Sequence, residues 1–147
     1  MASSTRSTGV TVVELVVVMT VIIILAAIAI PVAMSAQREA REAKLIANLN
    51  VIRGAINRFV ADCGGYPLQL EDLVTSEPPR RCYSVEDGRR LRIDPADFHG
   101  PYLYTPDQGF PRDPITRSRV WGYTARTGQV RSLAQGRTLD GVRYRDL

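Results

Sequence analysis

A chain of 147 residues, 45% of them apolar and with a formal net charge of +4, has room for one small folded domain and a terminal segment. The charge is unevenly spread: residues 62–147 hold 13 Arg against 12 Asp/Glu, whereas residues 35–61 hold five basic and two acidic side chains. The near-neutral C-terminal part argues against nucleic-acid binding, and a single His without a nucleophile elbow or clustered carboxylate pair argues against an enzyme.

The first element is an apolar run. From Leu15 to Ala36 no residue is charged, and only Thr20 and Ser35 carry hydroxyls. As a helix these residues would extend roughly 33 Å at about 1.5 Å per residue, enough for a hydrocarbon core of about 30 Å. A secretory signal peptide is one reading, with Arg6 as its basic start, Leu15–Leu25 as its core and Ala27-Ile28-Ala29 as its cleavage site. Against it stand Glu14 at the core's edge and a helical pattern that continues past the cut. A plain membrane anchor explains the length and leaves Gly9 and Glu14 without a role.

A third reading uses both. The stretch "GVTVVELVVVMTVIIILAAIAIP", Gly9 to Pro31, resembles the N-terminal signature of type IV pilins and pseudopilins. The resemblance implies a leader, Met1–Gly9, removed after Gly9 by a prepilin peptidase, and a mature chain with Val10 as its N-methylated first residue. Val10 departs from the family's usual Phe at that position. Glu14 matches the family's assembly glutamate and Pro31 its helix proline, where a kink is expected.

The physical chemistry of Glu14 runs parallel to the resemblance. A carboxylate within a membrane segment costs a few kcal/mol, and the helix dipole favours it in the first turn. The α-amine of Val10 on a neighbouring subunit is a suitable cation. Unit charges about 4 Å apart attract by about 4 kcal/mol at an effective dielectric near 20. The alternative is an interfacial Glu reaching into water.

After Pro31 the pattern becomes amphipathic. Leu45, Leu49, Ile52, Ile56 and Phe59 recur at steps of four and three, a single stripe too brief for a coiled coil. One long helix is expected from about Val10 to Ala61, with the "CGG" of Cys63–Gly65 as its stop. Cys63 and Cys82 are either independent thiols or a pair, according to redox compartment. A bridge between them would close a loop worth about 3 kcal/mol.

Beyond the stop, "YPLQLEDLV" (Tyr66–Val74) reads as a turn and a short helix. The stretch from Thr75 to Gly100 reads as a polar loop with at most short elements. Arg80, Arg81, Arg89, Arg90 and Arg92 lie there among Glu77, Glu86, Asp87 and Asp94. Solvated ion pairs are the favoured reading, an acidic-partner patch the alternative. "RVWGYTA" and "GQVRSL" predict a hairpin centred on Arg126–Gly128, and Val142–Arg145 a further strand. Trp121, Tyr123 and Val130 are expected to pack on the helical stripe.

The ordered motifs "YPLQLEDL", "GPYL", "PRDP" and "WGY" make the resemblance most like the major pseudopilin of type II secretion. It implies an α+β fold: a long N-terminal helix, membrane-spanning in its first half, packed on a small C-terminal antiparallel β-sheet. The expected segments are leader 1–9, transmembrane and filament-core helix 10–34, amphipathic continuation 35–62 and periplasmic globular domain 63–147. Implied partners are further copies of the chain, other pseudopilins, the inner-membrane assembly platform, the prepilin peptidase and membrane lipid; DNA is not an expected partner. The implied location is the inner membrane, single-pass, with the C-terminal domain in the periplasm. A type IV pilus subunit for adhesion, motility or DNA uptake is the alternative. No cofactor is expected beyond the family's calcium, for which Asp113, Asp140 and Asp146 are the candidate ligands. Asp140-Gly141 reads equally well as a turn.

Overall fold

The computed structural model describes residues 11–104 and 109–147. The chain divides into two units, Met1–Arg38 and Glu39–Leu147. Its architecture is α+β. Helix α1 spans Val12–Cys63, and the strands β1 (Gly65–Pro67), β2 (Arg81–Ser84), β3 (Arg90–Arg92), β4 (Gly122–Thr124) and β5 (Gln129–Arg131) follow it.

In the first unit, α1 presents apolar side chains on every face. The valines, isoleucines, leucines and methionines from Val12 to Met34 are all exposed. A helix apolar all round has no stable face toward water and belongs in lipid or among other helices. The two hydroxyls of the run are satisfied locally: Thr20 donates to the Val16 carbonyl at 2.8 Å and Ser35 to that of Val32 at 2.9 Å. Such back-bonding removes the cost of a bare hydroxyl in hydrocarbon.

In the second unit the predicted stripe is the core. Leu45, Leu49, Ile52, Ile56 and Phe59 are all buried, joined in the same helical phase by Glu42, Ala55 and Cys63. Each buried Leu or Ile contributes roughly 1.5–3 kcal/mol. Facing the stripe are Leu73, Cys82, Ile93, Tyr102, Leu103, Trp121, Val130 and Tyr144. Phe59, Phe98 and Tyr102 meet edge to face, with centroids 5.4–6.3 Å apart. The helix stops two residues beyond the predicted end. Gly64, at φ +72°, takes the left-handed conformation and donates to Val60 O at 2.9 Å.

Two small antiparallel sheets replace the single expected one. The first has the order β1-β2-β3, with Tyr66 opposite Tyr83 and Arg81 opposite Arg92. Its β2 and β3 form in the stretch read as a loop with at most short elements: strands of three and four residues with three arginines leave too little alternation to read. Gly65 is needed there, because a Cβ would lie 2.4 Å from the Tyr83 carbonyl oxygen. The second sheet is the β4–β5 hairpin, at the expected place. Val142–Arg145, expected as a strand, makes one bridge between Arg137 and Arg143 before a 3-10 turn at Tyr144–Asp146. The segment is fastened instead through the Tyr144 hydroxyl, which donates to Glu42 of the helix. The short helix after Tyr66 is likewise 3-10, Leu70–Leu73.

Candidate membrane and assembly segment

The cleavage and methylation positions, Gly9 and Val10, lie outside the described residues. The next residue begins the site. Thr11 immediately precedes α1, and its hydroxyl accepts from the Glu14 N–H at 3.2 Å. Its carbonyl accepts from the Leu15 N–H at 3.1 Å. Thr11 is therefore the N-cap and Glu14 the third helical residue, the spacing of a capping box. The T-x-x-E pattern was present in the sequence and passes unnoticed beside the membrane signature. Glu14 thus has a local reason to stand at the helix start, where the dipole favours its charge. That leaves its carboxylate, exposed in this chain, available to a partner.

Pro31 lies inside α1, which is helical on both sides of it. Lacking an N–H, it leaves the Ala27 carbonyl without its usual partner.

The candidate calcium ligands are not brought together. Asp113 is fully buried and its oxygens face inward. Oδ1 accepts from the N–H groups of Ile115 (2.7 Å) and Thr116 (3.1 Å), and Oδ2 accepts from the Ser132 hydroxyl. Asp146 pairs with Arg145 at 3.8 Å. Asp140 precedes Gly141, whose φ of +83° and bond to Thr138 O make the turn. Among the described residues no group of three or more His, Cys, Asp or Glu is placed to hold a metal.

Cys63 and Cys82 are both buried free thiols, and Cys82 Sγ lies 3.6 Å from the Cys63 carbonyl oxygen it donates to. Burial pushes the Cys63 thiol up to about 11 from 9.0, and Cys82 in the same direction. A raised thiol pKa means that stability is fully present below pH 9.0 and is lost as pH rises toward the folded value. Denaturant titration of the reduced chain should show a steeper loss between about pH 9 and 11 than in Cys63→Ala, which lacks the titrating group.

Two further positions were missed in the sequence. Glu42 is buried in phase with the apolar stripe and accepts from Leu139 N–H (2.9 Å) and Tyr144 OH (2.8 Å). Arg53 donates to the carbonyls of Val130 and Leu147. Together they fasten the C-terminal segment to the helix. A charged residue on an apolar phase was the available signal for Glu42.

Comparison with protein-family models, with curated proteins and with solved structures finds no match to the chain.

Proposed function

We propose that the chain is a pseudopilin, a structural filament subunit of a type II secretion system. The observation that carries this reading is the exposed apolar helix with a carboxylate in its first turn, beside the Thr11 cap. An anchor needs the apolar length alone. Subunits that leave lipid for a filament need a helix apolar on all faces, together with one polar group that sets their axial stagger. The stretch "GVTVVELVVVMTVIIILAAIAIP" supports the same reading through its resemblance to pilins and pseudopilins.

On this reading, α1 holds the subunit in the inner membrane with residues 63–147 in the periplasm. Cleavage after Gly9 exposes the amine of Val10, which pairs with Glu14 of a neighbouring subunit. Other staggers leave that carboxylate unpaired in a dry core, a cost of several kcal/mol after relaxation. Lipid around the Val12–Met34 side chains is exchanged for the same segment of other copies. The growing filament pushes folded cargo toward the outer membrane, with an ATPase elsewhere supplying the work.

The N-terminal mass of the protein from its native membrane tests this. A chain beginning at Val10 with one added methyl group is expected. A start at Ile30 would identify an ordinary signal peptide, and an intact Met1 a plain anchor.

A further inference from the structure

Of the arginines expected to form solvated ion pairs with their acidic neighbours, Arg89 does so in the β2–β3 turn, whereas those on the strands do not. Asp87 pairs with Arg89 at 3.5 Å and also accepts the Arg89 N–H. Asp94 accepts from Ala96 N–H. These acids brace turns. Among the described residues Arg81, Arg90, Arg92 and Arg126 have no ion pair within 4 Å. The register places Arg81 opposite Arg92 and Arg90 opposite Tyr83. Because side chains alternate along a strand, all four share one face with Tyr66, which is opposite Tyr83. The reverse face carries the buried Pro67 and Cys82. Arg126 reaches over the Tyr83 ring, 5.8 Å from its centroid. Its guanidinium and, more strongly, that of Arg90 pull the Tyr83 phenol below its ordinary range.

The ladder adds a second observation. Ser84 N–H donates to Arg89 O, and Ile93 N–H donates to Arg80 O. These are hydrogen-bonded pairs, so by alternation Arg81/Arg92 and Tyr83/Arg90 are the non-hydrogen-bonded pairs, with Cα atoms about 4.5 Å apart. Like charges so placed repel. In the same alternation the main-chain N–H and C=O of Arg90 and Arg92 point away from β2. β3 is the end of the β1-β2-β3 sheet and all three of its residues are exposed, so those groups face an open edge.

We infer that β3 is a docking edge for an extended acidic segment of another protein, which adds as a fourth strand and sets alternate Asp or Glu side chains against Arg81, Arg90 and Arg92. The main chain supplies the direction of binding, and the guanidiniums supply the selection. A peptide strand fits better than a nucleic acid. The tyrosine rings are already occupied, Tyr83 by Arg126 and Tyr66 by contact with Gly128, so bases would find no free stacking platform. The inference does not rest on the filament reading.

The test uses the full chain in uncharged detergent with four fluorescent probes: a Glu-Thr alternating peptide, the same peptide N-methylated at alternate amides on one phase or on the other, and an oligothymidylate. Binding of the unmethylated peptide is expected, weakened about tenfold or more in Arg90→Glu/Arg92→Glu and by methylation of the edge-facing phase. Circular dichroism checks that the variant folds, and the methylated peptides report on the edge without any variant. Undiminished binding of both methylated forms, oligothymidylate binding as tight as the peptide's, or no peptide binding up to about 1 mM would each overturn it.

Discussion

Replacing Glu14 with Gln is expected to leave insertion and folding unchanged while cutting filament yield by more than tenfold. Gln preserves the capping-box pattern beneath Thr11, so the helix start survives, and a neutral amide enters a bilayer more easily than a carboxylate. What disappears is the charge that, on the proposed filament reading, pairs with the Val10 amine of the next subunit. A close pair is worth about 4 kcal/mol at an effective dielectric near 20, and even half of that exceeds the 1.4 kcal/mol of a tenfold change. Sheared-filament fractionation and membrane fractionation, run on the same cells, separate assembly from insertion. Thr11→Ala is the complementary variant. It removes the hydroxyl that accepts the Glu14 N–H at a cost of about 1 kcal/mol, and should reduce helicity at the start of α1 with the charge intact. If the Gln variant assembles as the wild type does, Glu14 is a helix-start residue and the charge-pair account of assembly fails.

The second large effect is on stability. Asp113→Ala should destabilise the Glu39–Leu147 unit by about 3–5 kcal/mol, because three donors lose their acceptor inside the protein. The Ile115 and Thr116 amides turn toward Oδ1 and the Ser132 hydroxyl toward Oδ2, and Ser132 is itself fully buried. At about 4–8 °C per kcal/mol, the melting temperature should fall by at least about 12 °C. Asp113→Asn, which keeps an acceptor at Oδ1 and lets the Ser132 hydroxyl turn to accept, should lose less than half as much. Melting the Ala variant and the wild type in calcium and in chelator separates the two roles considered for this residue. A turn brace gives the same deficit in both, whereas a calcium ligand gives a deficit only with the metal present.

Long-period features were legible from the residues. The uncharged run from Leu15 to Ala36 and the stripe of Leu45, Leu49, Ile52, Ile56 and Phe59 repeat over many turns, so the pattern averages out local exceptions. The hairpin around Arg126–Gly128 was legible for a different reason. Gly128, at φ +65°, stands where a Cβ would strike the Tyr66 ring, and a turn glycine flanked by two short runs of alternating residues is a strong local signal.

What only the tertiary structure decided is pairing. β1, β2 and β3 have three or four residues each, shorter than any periodicity, and they hold together because Tyr66, Tyr83 and Arg90 align across three separate segments. The roles of charged residues followed from that alignment. Asp113 has the composition of a ligand and the surroundings of a turn brace. Glu42 has the charge of a surface residue and the burial of a core one. The hairpin arginines share a span of sequence with acids that face elsewhere. A side chain's chemistry is written in its residue type, but whether it meets water, a backbone amide or another charge depends on segments distant along the chain, and only folding brings those together.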